Sequence, residues 1–315
     1  MTDEHRQQLE AVSDRVRLTY RPASPYVKPT EVDPELRDSE VLIGYHASFE
    51  MSEAPRLRWL QLSSDGADHL LDTPIMRSDV IITNSRVFAM PIAEYTFASI
   101  LSWSYGFPRM QERFQRQRVY PKDQWAEYRS SEINGRTLAI AGYGAIGHRI
   151  ATLARAFEMT VVATRRSATG RTHEDGVEIY PASQLREMLA RADVLVVCLP
   201  LTPETAGVIG EPELRAMKPT AYLVSVGRGK VIDEGALLRA LREGWIGGAG
   251  LDVFAERPLP RDSPFFDLPN VIMTPHMSGI SDGYPRRGAA LFRENLRRYL
   301  AGEGLVNVVD KQQGY

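Results

Sequence analysis

The chain has 315 residues, which at about 150 residues per domain predicts two domains, and its composition (43% hydrophobic, 25% charged) is typical of a globular protein. A formal net charge of −2 gives no electrostatic basis for binding nucleic acid or an anionic membrane. One cysteine excludes an internal disulfide, and the charged N-terminus and the lack of long apolar runs favour a cytoplasmic protein without signal peptide or spanning helix.

The first 38 residues are polar and rich in proline, and they predict a tail with at most one strand, near Val16–Tyr20. Three short apolar runs then predict strands, at 41–45, 57–62 and 80–84. A helical pattern follows from about Pro91 to Gln117, in which Pro108 predicts a kink or a break.

From Arg136 onward, apolar strand-like runs alternate with amphipathic helical runs. The predicted strands are 137–144, 160–166, 194–201, 222–227, 248–254 and 271–276. The predicted helices are 148–157, 183–192, 233–244 and 291–300. Asp233 is a candidate N-cap for the third of these helices. Continuous apolar strands joined by helices indicate a parallel sheet that is covered on both faces.

The sequence Gly142-Tyr143-Gly144-Ala145-Ile146-Gly147 has the spacing G-x-G-x-x-G between a predicted strand and a predicted helix. In that context the first glycine permits a tight turn, the second lets the backbone approach a pyrophosphate, and the third lets helix and strand pack closely. The helix N-terminus offers free N–H groups to phosphate. The motif therefore predicts a dinucleotide site, the alternative being a glycine-rich turn that binds nothing.

The end of the next predicted strand carries the residues that distinguish the two nicotinamide dinucleotides. An acidic residue there would bind a ribose 2′-hydroxyl, whereas this chain has Arg165, Arg166 and Ser167. Guanidinium groups and a hydroxyl favour a 2′-phosphate. We therefore expect NADP(H) to be preferred, with NAD(H) as the lesser cofactor; the alternative is that both arginines are solvated surface charges.

Several motifs together resemble the NAD(P)-dependent D-isomer-specific 2-hydroxyacid dehydrogenases over roughly residues 40–300. They are GYGAIG (142–147), CLPLTPET (198–205), SVGRGKVIDEGAL (225–237), GLDVF (250–254) and NVIMTPHMSG (270–279). The strand end TRRS and the ending HMSG most resemble the glyoxylate and hydroxypyruvate reductase branch.

The resemblance implies two doubly wound parallel-sheet α/β domains with a cleft between them. One is a Rossmann cofactor domain, predicted at 91–284. The other is a smaller flavodoxin-like substrate domain, predicted at 1–90 with a returning C-terminal helix in 285–315. It also implies a homodimer formed through the cofactor domain.

The implied reaction is hydride transfer between a nicotinamide and C2 of a small 2-oxo or 2-hydroxy acid. By the family pattern, Arg228 binds the substrate carboxylate and carbonyl, and His276 exchanges the proton. A planar guanidinium suits a 2-oxo acid, and imidazole titrates near neutrality. The alternatives are a surface turn residue for Arg228 and a core histidine for His276.

Other roles follow only from the resemblance. The implied cofactor contacts are Thr96, Leu199, Pro200, Thr205, Val226, Gly227, Asp252, Ser278 and Gly279, together with His276. The implied substrate loop contains Ser64, Asp65 and Gly66. The acidic side chain of Asp65 stands where a small apolar residue is usual, and it would repel an anion unless it points away.

Two further departures concern the substrate domain and the histidine. The chain has fewer predicted strands before residue 41 than the family pattern, so the small domain is expected to be trimmed. The family glutamate that pairs with the histidine directly precedes a proline, and here Arg257 precedes Pro258. Glu256, one place earlier, replaces that carboxylate only if the turn slips by one residue.

No pair of histidines or cysteines has metal-ligand spacing, so no metal site is predicted. Two other functions stay open. One is a dehydrogenase for another small anion, such as formate or phosphite. The other is a dinucleotide-binding scaffold that has lost turnover. This alternative stays open because Arg257 stands where the family has its glutamate.

Overall fold

The computed structural model describes residues 3–21, 33–45, 47, 49–118, 130–312 and 314. The chain forms two compact units. The first combines Met1–Phe88 with Ile280–Tyr315, and the second is Ala89–Gly279. These divisions fall two and five residues before those predicted at 90 and 284. The assignment of substrate and cofactor to the parts remains a prediction.

The first unit contains a three-stranded parallel sheet in the order β1-β2-β3. Its strands are β1 (Val41–Gly44), β2 (Trp59–Leu62) and β3 (Ile81–Thr83), and short 3₁₀ turns connect them. Helices α1 (Asp3–Glu10) and α8 (Tyr284–Ala301) pack against one another in the same unit. The returning C-terminal helix is thus part of the first unit, and among the described residues before Val41 there is no strand.

No strand forms near Val16–Tyr20, where the sequence predicted at most one. The segment is irregular, and Val16 and Leu18 instead pack against a cluster that contains Leu9 and Trp59. Alternating apolar residues met an existing apolar surface without a neighbouring backbone to pair with, so burial was achieved without a ladder.

The second unit is an eight-stranded sheet covered by helices. Its strands are β4 (Thr137–Ala141), β5 (Thr160–Arg165), β6 (Thr172–Glu174), β7 (Val177–Pro181), β8 (Val194–Val197), β9 (Tyr222–Ser225), β10 (Gly248–Leu251) and β11 (Val271–Met273). Its helices are α2 (Ala89–Ser104), α3 (Phe107–Gln117), α4 (Ala145–Ala156), α5 (Leu185–Leu189), α6 (Glu211–Ala216) and α7 (Glu234–Glu243).

The order β11-β10-β9-β8-β4-β5-β7-β6 reverses direction between β4 and β8, as in a doubly wound sheet. Only β6 runs antiparallel to its neighbour among the pairs in this sheet. The predicted α/β class is confirmed. The sequence missed the β6–β7 hairpin and α6, because β6 is a short polar edge strand without an apolar pattern.

Local signals behaved as the sequence indicated at two helices. The helical pattern that contains Pro108 is broken at Gly106, which has φ of 65°, so Pro108 lies in the first turn of α3. Asp233 caps α7 by accepting a hydrogen bond from the Ala236 N–H at 3.0 Å.

Because the strands from β4 to β11 other than β6 are parallel, their carboxyl ends meet at one edge of the sheet. The chain leaves that edge at six places that matter for function: Ala141, Arg165, Val197, Ser225, Leu251 and Met273. Ligands of open α/β sheets bind outside this edge, at the point where strand order reverses.

Candidate active site

The glycine loop after β4 meets three different geometric demands. Gly142 has φ of 105°, and a Cβ there would lie 3.1 Å from the carbonyl oxygen of Cys198. A Cβ on Gly147 would lie 2.5 Å from the carbonyl oxygen of Gly142, so α4 packs directly against the loop. A Cβ on Gly144 would meet no protein atom within 4 Å. The first and third glycines are therefore required by the protein itself, whereas the second faces outward.

Helix α4 begins at this outward-facing position. Gly144 is its N-cap, no side chain caps it, and the first intrahelical bond runs from the His148 N–H to the Gly144 carbonyl. The earlier N–H groups, including those of Ala145 and Ile146, have no acceptor within the helix. Open backbone at Gly144 together with these donors fits the pyrophosphate of a dinucleotide.

At the end of β5, Arg165 belongs to a group that we call the Arg165 cluster: Tyr143, His148, Arg165 and Glu174. The Arg165 Nη1 donates to the Glu174 Oε2 at 2.7 Å, and its guanidinium carbon lies 5.1 Å from the centre of the Tyr143 ring. The Tyr143 ring stacks on His148 with centroids 3.9 Å apart. Arg166 and Ser167 follow directly in the turn after β5.

The loops after β8 and β9 hold one another closely. A Cβ on Gly227 would lie 2.6 Å from the Leu199 carbonyl oxygen, so only glycine fits there. The Thr205 hydroxyl donates to the Pro200 carbonyl at 2.7 Å and accepts from the Thr202 N–H at 2.8 Å. Val226 is buried. These contacts hold the two loops together at the edge of the sheet.

Arg228 follows Gly227 in the turn after β9. Its Nη1 donates to the Gly227 carbonyl at 3.2 Å, and Arg228 precedes the short 3₁₀ helix Gly229–Val231. A Cβ on Gly229 would lie 1.9 Å from the carbonyl carbon of Phe254. The second glycine of the GRG turn is therefore needed for backbone contact with the segment after β10.

Asp252 follows β10 directly and is fully buried. Its Oδ1 accepts from the Thr274 hydroxyl and from the Met277 N–H, both at 2.7 Å, and its Oδ2 accepts from the Ser278 N–H at 2.9 Å. The three donors bracket His276. We call this set of contacts the Asp252 clamp.

His276 has φ of 58°, an unusual conformation for a residue other than glycine, and its N–H donates to the Thr274 carbonyl at 3.0 Å. Bonds on both sides of the residue hold the turn in that conformation. The Asp252 carboxylate is thus engaged by the protein; the cofactor contact that the family resemblance implies for it remains a prediction.

Tyr95 of α2 extends the clamp. Its hydroxyl lies 2.6 Å from the Thr274 Oγ1. Because a carboxylate only accepts, the Thr274 proton goes to Asp252 and the Tyr95 hydroxyl must donate to Thr274. Burial raises the pKa of Tyr95 to about 12, so the hydroxyl remains protonated and keeps donating at neutral pH.

Thr96, the next residue of α2, is also fully buried, and its hydroxyl donates to the Ile92 carbonyl at 2.7 Å. Its single hydroxyl proton is used inside the helix. The cofactor contacts that the family resemblance implies for Thr96 and Gly279 remain predictions.

Glu256 and Arg257 are both exposed. The Glu234 carboxylate binds the backbone directly before them: its Oε1 accepts from the Ala255 N–H at 2.6 Å. Burial raises the pKa of Glu234, and the negative charge of Glu256 raises it further. Whether Glu256 replaces the family glutamate stays a prediction.

The predicted substrate loop lies in the first unit. The Ser64 hydroxyl donates to the Gly66 carbonyl at 2.8 Å. Residues after β3 hold the loop: the Asn84 amide donates to the Asp65 carbonyl at 2.8 Å, and the Ser85 N–H donates to the Ser64 carbonyl at 2.8 Å. The loop is therefore ordered by its own unit.

One cluster of metal-ligand atoms occurs among the residues that the structure describes: His148, Glu174 and Asp175 offer atoms within 4.8 Å of one another. Sequence spacing did not reveal it, since the residues come from α4 and from the missed hairpin. The Arg165 guanidinium already binds Glu174, which disfavours a cation at that carboxylate. In the part of the chain with described helices, none is long and apolar enough to cross a membrane.

The chain is similar to proteins of one known family. Residues 97–278 match the NAD-binding domain model of the D-isomer specific 2-hydroxyacid dehydrogenases. The glyoxylate reductase of Aeropyrum pernix is 35% identical over 278 residues, covering 83% of this chain and 79% of its own. The glyoxylate/hydroxypyruvate reductase B of Pectobacterium carotovorum is 33% identical over 296 residues, covering 90% and 89%.

Two solved structures share the fold. A D-isomer specific 2-hydroxyacid dehydrogenase from Xanthobacter autotrophicus, in complex with NADPH and MES, has a TM-score of 0.83 at 28% identity and covers 100% of this chain and 96% of its own. An NADPH-dependent glyoxylate/hydroxypyruvate reductase from Sinorhizobium meliloti, in complex with NADP and sulfate, has a TM-score of 0.76 at 29% identity and covers 90% of each chain.

The chain therefore belongs to the D-isomer specific 2-hydroxyacid dehydrogenase family. It is an oxidoreductase with a nicotinamide cofactor. The sequence missed Thr274 and Glu174, which contact the predicted site residues Asp252 and Arg165, and Tyr95, which contacts Thr274. Only Thr274 carried a signal, as the threonine of the TPH motif that contains His276.

Proposed function

We propose that this protein reduces a small 2-oxo acid of the glyoxylate or hydroxypyruvate type, with NADPH as the preferred reductant. The observation that carries the proposal is the Asp252 clamp, which holds His276 in an otherwise unfavourable turn at the carboxyl edge of the sheet. Conformations of this kind persist where the surrounding structure fixes them, and they cluster at functional sites. Relatives named as glyoxylate reductases support the substrate class.

The chain's own residues then divide the chemistry. The nicotinamide, when bound, supplies the hydride that C2 receives. Arg228 offers a planar guanidinium to the substrate carboxylate and polarises the carbonyl. His276 gives a proton to the oxygen during reduction and takes it back during oxidation. The loop of Ser64, Asp65 and Gly66 binds the substrate carboxylate through its backbone.

NADPH preference is proposed on Arg165, Arg166 and Ser167 at the end of β5. Charge-assisted bonds to a phosphate contribute roughly 1.5–3 kcal/mol, so one to two decades in affinity over NADH are expected. Two relatives crystallised with NADPH or NADP support this. A fluorescence titration with both cofactors tests it. Equal or tighter binding of NADH refutes the preference.

The decisive activity test is NADPH oxidation with glyoxylate, hydroxypyruvate, pyruvate and phenylpyruvate across pH 5 to 8, the range in which histidine titrates. Turnover with the first two acids is expected. Turnover only with formate or phosphite would identify a relative for another anion. Dinucleotide binding without any turnover would favour the scaffold function.

The support of His276 has its own test. Without a slip of the turn, Arg257→Glu should raise activity at neutral pH and Glu256→Gln should change little. Since reduction needs a protonated histidine, the wild-type rate should then rise toward acidic pH. Loss of turnover in Glu256→Gln would instead assign the family carboxylate to Glu256.

We also propose a homodimer formed through the cofactor domain, as the family resemblance implies. Sedimentation equilibrium of the full chain measures the assembly directly, and a monomer at micromolar concentration contradicts it.

A further inference from the structure

Arg165 is held by a carboxylate from outside the cofactor motifs. Glu174 lies on β6, the antiparallel edge strand that the sequence did not predict, and its Oε2 accepts from the Arg165 Nη1 at 2.7 Å. This hydrogen bond lowers the pKa of Glu174, so the carboxylate is ionised at neutral pH. The guanidinium that is proposed to bind the 2′-phosphate is therefore already paired with a negative charge of the protein.

The surrounding contacts fix where that charge lies. The His148 Nε2 is 3.5 Å from the other Glu174 oxygen, and the Tyr143 ring stacks on His148 and lies 5.1 Å from the Arg165 guanidinium carbon. Tyr143 is a residue of the glycine loop itself. Glu174 is thus tied to the cofactor loop on one side and to the end of β5 on the other.

The second arginine also interacts electrostatically with a carboxylate. The pKa of Glu204 is lowered by a hydrogen bond with Thr202 and, to a smaller extent, by the charge of Arg166. Glu204 belongs to the loop after β8. The positive charge that the sequence assigned to phosphate binding is therefore partly balanced within the protein.

We propose that Glu174 is a specificity-determining residue that competes with the 2′-phosphate for Arg165 and limits the preference for NADP(H) over NAD(H). A phosphate and a carboxylate on the same guanidinium repel each other, whereas the 2′-hydroxyl of NAD(H) carries no charge and is not repelled by Glu174. The inference rests on the proposed role of Arg165 in cofactor preference.

The test is the substitution Glu174→Gln in the full-length protein. The amide oxygen of glutamine still accepts from Arg165, so the geometry is kept and only the charge is removed. The Kd for NADP+ should fall about 3- to 10-fold, given one charge removed near a screened phosphate, and the Kd for NAD+ should change less than about twofold. Isothermal titration calorimetry measures both without turnover.

Glu178→Gln is the matched control. Glu178 lies on the adjacent strand β7, and its Oε2 is 2.6 Å from the Arg191 Nη1, so the same ion-pair chemistry is removed away from Arg165. Its cofactor affinities should equal those of the wild type.

An unchanged or raised Kd for NADP+ in Glu174→Gln overturns the inference, the latter because Glu174 would then serve to position Arg165. Arg165→Ala separates this from the proposed preference. If Arg165→Ala weakens NADP+ binding and Glu174→Gln does not strengthen it, only the role of Glu174 is refuted. If Arg165→Ala leaves NADP+ binding unchanged, the preference itself fails. In the double variant, the gain from Glu174→Gln should disappear, since the two residues act on one interaction.

Discussion

Two regions of one sheet edge are built in opposite ways: the outer strands β10 and β11, and the central strands β4 and β5. At β10 and β11, the Asp252 carboxylate is fully buried and donors from its own unit engage both of its oxygens. At β4 and β5, Gly144 faces open space and the Arg165 cluster is held by partly exposed ion pairs. At β10 and β11, contacts within the protein hold the polar groups in place. At β4 and β5, the protein presents backbone N–H donors and paired charges to a ligand.

This difference predicts where substitutions act. A buried charged network loses several kcal/mol when one member is removed, because the remaining polar groups are left unpaired. Partly exposed ion pairs are screened by solvent and contribute at most about 1 kcal/mol each to stability. We therefore expect substitutions at β10 and β11 to affect catalysis and folding, and substitutions at β4 and β5 to affect which cofactor binds and how tightly.

The largest effect is expected at the residue that the clamp holds. His276→Ala should lower kcat by about 10²–10⁴, since a positioned general acid is removed. Cofactor affinity should remain within a few-fold, because the glycine loop is untouched. Stopped-flow reduction of glyoxylate and a parallel cofactor titration measure the two quantities. Normal turnover would place the proton donor elsewhere.

Arg228→Ala is the companion variant. It should reduce kcat/KM for the 2-oxo acid with cofactor binding preserved, because a substrate-binding cation is lost. Loss of cofactor binding in either variant would show that the fold of the edge, and not its chemistry, had been damaged.

The next largest effect is expected from Asp252→Asn. The amide keeps the size of the side chain, but its N–H₂ group faces donors in either orientation: the Ser278 N–H in one, and the Met277 N–H with the Thr274 hydroxyl in the other. Removing this acceptor should destabilise the protein by about 3 kcal/mol and lower kcat by roughly 10- to 100-fold as the His276 turn relaxes. Urea unfolding and steady-state kinetics check the two effects. A variant with wild-type stability would show that the clamp does not hold the turn.

Much of this edge was predictable from the sequence, and the reason is local. Gly142, Gly144 and Gly147 have conformational demands that a short motif encodes, and the strands that precede them are continuous apolar runs. Glu174 could not be predicted, because it reaches Arg165 from a polar edge strand without periodicity. The Tyr95 contact was equally hidden, since it joins residues 179 positions apart and depends on how α2 packs on the sheet.

The glycine loop after β4 provides a test of the cofactor-binding region at β4 and β5. Gly144→Ala should leave the Tm unchanged, because the new methyl group meets no protein atom within 4 Å, but it should weaken dinucleotide binding about tenfold or more. Gly147→Ala should instead destabilise the protein by about 1–3 kcal/mol, since its Cβ would lie 2.5 Å from the Gly142 carbonyl oxygen. Thermal unfolding and cofactor titration distinguish the two. Equal loss of stability in both variants would contradict an outward-facing Gly144.

The smallest effect is expected from Tyr95→Phe, which removes only the hydroxyl that donates to Thr274. Thr274 keeps its bond to Asp252, so the clamp should weaken without opening. A loss of about 1 kcal/mol in stability and a few-fold fall in kcat, with KM nearly unchanged, are expected. Tyr222→Phe is the control, because the Tyr222 hydroxyl pairs with Ser99 of the same helix at 2.9 Å, away from the His276 turn. The control should lose similar stability and keep kcat. If both variants lower kcat equally, the Tyr95 hydroxyl serves only to pack α2 against the sheet, and its influence on His276 is refuted.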